Sequence, residues 1–384
     1  MVQRFDLENV GCAERIWRQA EELARRGHEV DLVNFPHPER RRRLPRLRPE
    51  APPGVNVVPL DRRGPALWGN TRTVGERVAQ ADVVHLWKAY PDTAIPVLCG
   101  IRRSNKPFHY DWDDLEGGRG GIAERLTRSC LVGHLIGFWE GEILNWVDTV
   151  SVASQEIGER CRKSGFPTDR TFLCPVGATL SELDDGLLSK WRDRLGEKKT
   201  ILFMGQLEAQ DFPLSVLSAV EAILEEDRDT LFAVVGDGTA REALENETRR
   251  LGISGQVLFA GYLPWGEAQC VLSLASVFIH PLHDDLMSRC KSPLVVVEAM
   301  ARGVPVVASD VGEAPRMLGE SGTLVRGLET EPWREALAGL LGDSDRRRGL
   351  ARKAKQRFLT EWTWERAVDR LEEAYRVARA NGGL

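Results

Sequence analysis

No stretch of this 384-residue chain approaches the ~18 uncharged apolar residues of a membrane-spanning helix, and Met-Val-Gln-Arg-Phe-Asp at its start has no apolar signal core. A cytoplasmic protein is expected, at most peripheral at the inner face of the membrane. Cysteine is sparse: Cys12, Cys99, Cys130, Cys161, Cys174, Cys270 and Cys290 form an odd set with no CxxC pair. Neither a disulfide framework nor a zinc site is indicated. An excess of positive charge is missing too, because 52 Lys and Arg stand against 57 Asp and Glu for a net charge of −5. That balance excludes a strongly basic nucleic-acid binder. The dinucleotide fingerprint GxGxxG is also absent, since the run from Gly236 places Arg241 where the last glycine belongs. A nicotinamide dehydrogenase is disfavoured.

What is present is an ordinary globular composition, 42% hydrophobic and 28% charged, in a chain long enough for roughly two domains. Short β-branched runs alternate with helical patterns and glycine-rich turns almost from end to end, as parallel βαβ units do. Ile16, Ala20, Leu23 and Ala24 share one face of a helix between Glu14 and Arg26, which Arg-Gly-His-Glu closes before the strand Val30 to Val33. Further strands are expected at Val55 to Pro59, Asp82 to Leu86, Pro107 to Asp111 and Val150 to Ser154. A second series runs through Thr200 to Met204, Leu231 to Val235, Val257 to Ala260, Val277 to His280, Val304 to Ala308 and Thr323 to Val325. The polar stretch Leu180 to Lys199 reads as a hinge between the two series, and the last ~50 residues read as helical. Only Met1 to Phe5 precede the first loop, so the first strand is expected to be short. The fold class is therefore α/β, with two doubly wound sheets facing across a cleft that would receive a ligand at the carboxyl ends of the strands.

Several residues in this frame carry chemistry, each with a plainer alternative. Gly11 lies at the mouth of the first helix, where free N–H groups suit an anion or where glycine merely serves a tight turn. Gly236 and Gly238 form a strand-to-helix turn that brings backbone close to a ligand. Glu298 is a lone carboxylate in the apolar helix that follows Ser292-Pro293 and stops at Gly303. A buried acid needs partners, such as ribose hydroxyls or a structural cap. Arg289 and Lys291, just ahead of that helix, suit a diphosphate or are solvated surface charges. Asp111, Asp113 and Asp114 follow a strand at the expected cleft edge, a poor metal set but able to orient an acceptor hydroxyl. Glu14, His85 and His109 are further candidates on the acceptor side, the two histidines near strand ends.

Charge is unevenly spread. Between Glu39 and Arg63 eight arginines face three acids, a local net of +5 that leaves −10 for the rest. The run Arg40 to Arg48 reads as a solvated loop or as a patch for an anionic lipid surface or a charged acceptor. Trp68, Leu131, Leu135, Ile136, Phe138 and Trp139 offer either core packing or an apolar membrane-facing element.

The order of Val10-Gly-Cys-Ala-Glu14, Arg26-Gly-His-Glu-Val30, Ala81-Asp-Val-Val-His85, Ser151-Val-Ala-Ser154, Val234-Val-Gly-Asp-Gly238, Val257-Leu-Phe-Ala-Gly261, Val297 to Ala308, Ser321-Gly-Thr-Leu-Val325 and Phe358 to Trp364 carries a resemblance. Over nearly its whole length the chain resembles the retaining GT-B glycosyltransferases of family four. The resemblance implies a Rossmann-like acceptor domain over 1–180, a Rossmann-like nucleotide-sugar domain over 181–362, and a final helix over 363–384 crossing back. It implies Glu298 on the donor ribose, Gly261, Tyr262 and Leu263 beside the base, Gly11 near the diphosphate, and Asp113 where relatives place a histidine near the reacting centre. The implied enzyme is metal-independent and needs no cofactor, the nucleotide-sugar being a substrate and a hydroxyl of a glycan, lipid-linked precursor or small molecule the acceptor.

The departures are local. Relatives carry a second glutamate eight positions before the first, where this chain has Cys290, and an Arg and Lys where it has Gln206 and Asp211; their Pro-Asn-Gly-Val-Asp becomes Pro175-Val-Gly-Ala-Thr179. Cations at a leaving diphosphate are each worth roughly 2.7–4 kcal/mol in comparable sites. Two expectations follow: an active transferase in which Arg289 and Lys291 compensate, or a catalytically impaired homologue that binds or scaffolds.

Overall fold

The computed structural model describes residues 1–3, 10–35, 51–60, 66–208 and 212–382. The run Arg40 to Arg48 and Asp211 lie outside them, as do the side chains of Gly11 and Trp68. The chain divides into two compact units, one formed by Met1–Gly177, Arg289–Ser292 and Trp364–Leu384, the other by Ala178–Ser288 and Pro293–Thr363.

In the first unit the strands are β1 (Val2–Gln3), β2 (Val30–Asn34), β3 (Val55–Pro59), β4 (Val84–Trp87), β5 (Phe108–Trp112), β6 (Thr149–Val152) and β7 (Thr171–Leu173). They form a seven-stranded parallel sheet in the order β3-β2-β1-β4-β5-β6-β7. The order reverses between β1 and β4, the switch point at which doubly wound sheets open a crevice at their carboxyl edge. Every residue of β4, β5 and β6 is buried, as expected of central strands covered by helices on both faces. The helix Val10–Arg25 packs Ile16, Trp17 and Ala20 against Leu32, Trp87, Val368 and Leu371. The last two belong to the helix Trp364–Asn381, which thereby shares the core of this unit.

The second unit has β8 (Lys199–Met204), β9 (Thr230–Val235), β10 (Val257–Gly261), β11 (Val277–His280), β12 (Val306–Ser309) and β13 (Thr323–Val325), a six-stranded parallel sheet in the order β10-β9-β8-β11-β12-β13. Its core joins Ile201, Phe203, Phe232, Val234, Val277 and Ile279 of the sheet to Val216, Val220, Trp333 and Leu337 of the covering helices.

Three sequence expectations need correction. The stretch Leu180 to Lys199 holds the helix Asp185–Leu195, because Asp184 caps it by accepting from the Leu187 N–H at 2.8 Å and because Trp191 and Leu195, four apart, are buried. The first helix begins at Val10, so Gly11 lies in its first turn and not in a loop ahead of it. The short strand β7 had no counterpart among the expected strands.

Candidate active site

At the carboxyl edge of the first sheet, the sequence-selected acids meet cations that sequence reasoning passed over. Asp111 is the fourth residue of β5 and fully buried. A buried carboxylate requires a partner, and Arg15, one turn into the first helix, donates from Nε to its Oδ2 and from Nη2 to its Oδ1, both at 2.8 Å. Gln19 Nε2 and Ser151 Oγ donate to the same carboxylate at 3.3 and 2.6 Å. Against the burial that would raise its pKa, the Arg15 guanidinium holds Asp111 well below the usual carboxylate range. Among the described residues, Arg15 Nη1 has no hydrogen-bond acceptor although it is buried.

Asp113 and Asp114 leave the end of β5 in opposite electrostatic states. Asp113 lies 3.5 Å from Arg15 Nε and 3.9 Å from Lys88 Nζ, yet burial and the neighbouring Asp114 charge push its pKa up to about 7. Asp114 receives the Lys88 ammonium directly at 2.6 Å, which outweighs burial and lowers its pKa. Two carboxyls side by side with one strong cation between them divide in this way, the better-paired one ionising first.

Lys88 is held for that task. It follows β4 with φ of +59°, a left-handed conformation unusual for a lysine, and its ammonium also bonds Glu116 Oε1 at 2.6 Å. Tyr90 donates its hydroxyl to Glu116 Oε2. The loop carrying these acids is pinned from below by Glu140, which accepts from Trp112 Nε1 at 3.1 Å and from the Glu116 and Gly117 N–H groups at 3.0 and 2.9 Å. Burial, with Glu116 close by, pushes the Glu140 pKa up to about 8.

The histidines do lie near strand ends, but at the amino ends: they occupy paired second positions of β4 and β5, away from the carboxyl edge where the aspartates stand. Ser151 commits its proton to Asp111, so its oxygen accepts from His109 Nε2, while His109 Nδ1 lies 2.9 Å from the Thr149 hydroxyl. That is the pattern of a neutral ring, and burial accordingly lowers the His109 pKa to about 4. His85 Nδ1 meets Tyr375 Oη at 2.7 Å, and burial with the adjoining His109 lowers its pKa as well. Glu14 is buried and accepts from Arg18 Nε at 2.6 Å.

In the second unit Glu298 lies on the helix Leu294–Arg302, only 5% exposed, and Trp265 Nε1 donates to its Oε1 at 2.7 Å. The sequence showed the lone acid but not this donor. Trp265 opens the helix after β10 directly behind Pro264, and a tryptophan there gives no signal of its target. Gly303 ends the Glu298 helix in the left-handed conformation, φ 67°.

Gly236 and Gly238 are needed by the chain itself. A Cβ on Gly236, at φ 136°, would lie 1.8 Å from the Gly205 carbonyl oxygen, and one on Gly238 would lie 2.5 Å from that of Leu207. The turns after β8 and β9 thus cross in contact, and that crossing accounts for both glycines. Gly261 ends β10 at φ 72° and accepts from the Gly236 N–H at 2.8 Å, while Tyr262 beside it is exposed and Leu263 half-buried.

Arg289 is exposed and Lys291 half-buried; both fall in the first unit, where Lys291 helps lower the Asp114 pKa. Cys290 is buried, and burial pushes its thiol up to about 12, so it carries no negative charge at neutral pH. Gln206 is exposed after β8.

Comparison with known proteins agrees with these two units. Residues 10–177 match the family described as glycosyl transferase 4-like domain, and residues 198–343 match glycosyl transferases group 1. The D-inositol 3-phosphate glycosyltransferase of Nocardia farcinica is 30% identical over 241 residues, 60% of this chain and 52% of that protein. The same-named protein of Corynebacterium diphtheriae is 34% identical over 185 residues, 46% of this chain and 42% of that protein. The chain thus spans about half the length of the curated relatives it matches. Among solved structures, Anabaena HepE in complex with UDP and glucose superposes with a TM-score of 0.71 at 16% identity, covering 97% of this chain and 98% of that one. Sucrose-phosphate synthase from Thermosynechococcus elongatus superposes with a TM-score of 0.74 at 18% identity, covering 99% of both. With two Rossmann-like parallel sheets, each matched by one half of the same family pair, the chain belongs to the GT-B glycosyltransferases of group 1.

Proposed function

We propose that the protein transfers a sugar from a nucleotide-sugar to an acceptor hydroxyl, with retention at the anomeric carbon and without a metal ion. The observation that carries the donor half is Glu298: a buried carboxylate aimed by the Trp265 indole has the chemistry to accept hydrogen bonds from a ribose. Gly11, Gly261, Tyr262 and Leu263 are proposed at the diphosphate and base, and Arg289 and Lys291 as the cations that stabilise the leaving diphosphate.

The acceptor half rests on Asp113. With a pKa near 7 it is poised to accept the hydrogen bond of an acceptor hydroxyl when ionised, while the departing diphosphate takes the proton. The buried Arg15 Nη1 beside it supplies a donor that an acceptor oxygen would satisfy. Asp111 then serves as the fixed anion that holds Arg15 in place.

The relatives named for D-inositol 3-phosphate make phosphorylated polyols the first acceptors to try, next to glycans and lipid-linked precursors. A panel of nucleotide-sugars assayed for hydrolysis and thermal shift, with and without such acceptors, tests the reading. Turnover of one donor supports it; no shift and no turnover with any donor refutes it. The second reading, a binding or scaffolding homologue, draws on the neutral Cys290 thiol and the exposed Gln206. It predicts donor binding without turnover. A cytoplasmic location and contact of Arg40 to Arg48 with an anionic membrane complete the proposal.

A further inference from the structure

We infer that Lys88 and Tyr90, on the turn that follows β4, are positioning residues for the acceptor half of the reaction: through Asp114 and Glu116 they clamp the loop that carries Asp113. The role rests on Asp113 as the group that meets the acceptor hydroxyl.

Lysine is rarely buried, yet Lys88 is only 4% exposed. Its left-handed backbone, φ +59°, is one that glycine adopts without strain, so the strain is borne for the sake of the side chain. The backbone is fixed on both sides: the Lys88 N–H donates to the Asp111 carbonyl at 3.2 Å, and its carbonyl accepts from the Tyr90 N–H at 3.0 Å. The ammonium lies 4.8 Å from the centre of the Trp87 ring and reaches Asp114 Oδ2 and Glu116 Oε1, each at 2.6 Å. Tyr90 donates to the other Glu116 oxygen.

Asp113 sits inside this clamp. Before it Trp112 is tied to Glu140, and after it Asp114, Glu116 and Gly117 are each bonded, so the loop is fixed on both sides. Asp113 itself makes no hydrogen bond among the described residues; Arg15 Nε at 3.5 Å and Lys88 Nζ at 3.9 Å hold it by charge. Its oxygens keep their lone pairs for a hydroxyl.

The clamp also places the proton. Facing Asp113 are Arg15 from the first helix, Lys88, and Asp111 and Asp114 from its own strand end; Lys291 acts on Asp114, and Glu116 and Glu140 lie behind. With the ammonium on Asp114, that carboxyl ionises first and Asp113 is left to exchange a proton near neutral pH. Without the ammonium, the ion pair that remains is Arg15 with Asp113, and the order reverses.

The test uses the full chain with the donor and acceptor that turn over. Lys88→Met keeps the stem against Trp87 and removes the ammonium, Lys88→Arg keeps the charge, and Tyr90→Phe removes one bond to Glu116. Lys88→Met should lower kcat/KM for the acceptor at least about tenfold near neutral pH and move the acid limb of the pH profile by about one unit or more, toward acid. Lys88→Arg should recover most of the loss, and Tyr90→Phe should cost about two- to fivefold with the limb unmoved. A merely structural role would lower the melting temperature and leave the limb in place. NMR of labelled aspartate carboxyl carbons, assigned with Asp113→Asn and Asp114→Asn, reads the same exchange without turnover. In Lys88→Met, Asp114 should titrate about two units higher than in wild type. If Lys88→Met does not fold, Lys88→Met/Glu116→Gln removes a buried anion along with the cation and should show the same shifts. An Asp114 titration at its wild-type pH, or an unmoved acid limb in a protein that turns over, overturns the clamp. A wild-type profile in Asp113→Asn instead refutes the Asp113 reading, and the titration still decides the clamp.

Discussion

Replacing Glu298 by glutamine isolates its charge from its shape. The side chain is 5% exposed and its Oε1 accepts from Trp265 Nε1 at 2.7 Å. In the variant the amide oxygen keeps the Trp265 bond, and an amide nitrogen takes the place of the second carboxylate oxygen. Packing and one hydrogen bond survive; the anion does not. A hydrogen bond to a charged group contributes about 1.5–3 kcal/mol against about 0.5–1.5 for a neutral one, so affinity for a nucleoside diphosphate should fall about tenfold. Stability should move the other way or not at all, because a neutral amide avoids the desolvation of a buried charge. Calorimetric titration with the nucleoside diphosphate of whichever donor the nucleotide-sugar panel identifies, alongside thermal melting, reads both. Trp265→Phe is the companion: the carboxylate keeps its charge but loses its anchor, and affinity should fall about two- to fivefold. A Glu298→Gln dissociation constant within about twofold of wild type, in a protein that melts normally, would refute the ribose-binding assignment.

Asp113→Asn should lower kcat/KM and remove an acid limb near pH 7 from its pH profile, since the raised pKa means that the wild-type carboxylate ionises only as pH rises through about 7. A wild-type-shaped profile in the variant would exclude Asp113 from positioning the acceptor. His109 is neutral when folded, with its pKa lowered to about 4, so stability is lost as pH falls from 6.5 toward 4. The full effect is about 3 kcal/mol, and Asp113 and Glu140, whose pKa values are raised, oppose it; the difference in urea midpoint between wild type and His109→Gln, followed from pH 7 to 4, isolates it. A constant difference would contradict the shift. Gly236→Ala forces a Cβ against the Gly205 carbonyl at φ 136° and should destabilise the second unit by at least about 2 kcal/mol, visible as a lower urea midpoint. An unchanged midpoint would show that the two turns can part freely.

The strand series was legible because parallel strands covered on both faces are written as short apolar runs, as in Thr230–Val235 and Val277–His280. The helix Asp185–Leu195 was harder to see, since only Trp191 and Leu195 are buried and the rest of its surface is polar. Glu298 stood out in sequence because a lone acid interrupts an apolar helix.

Chain order alone thus determined two α/β series, their glycine turns, the buried acid and the aspartates after β5, because periodicity and isolated charges are local properties. Tertiary structure alone decided the partners. Arg15 reaches Asp111 across 96 positions, Tyr375 reaches His85 across 290, and Trp265 reaches Glu298 across 33. It also sorted the apolar run 131–139 into a buried Ile136 and an exposed stripe, and set Asp113 apart from Asp114 by giving Lys88 to one of them. Hydrogen bonds and ion pairs act through distances of a few ångströms, and only the folded sheet brings residues so distant in sequence within that reach.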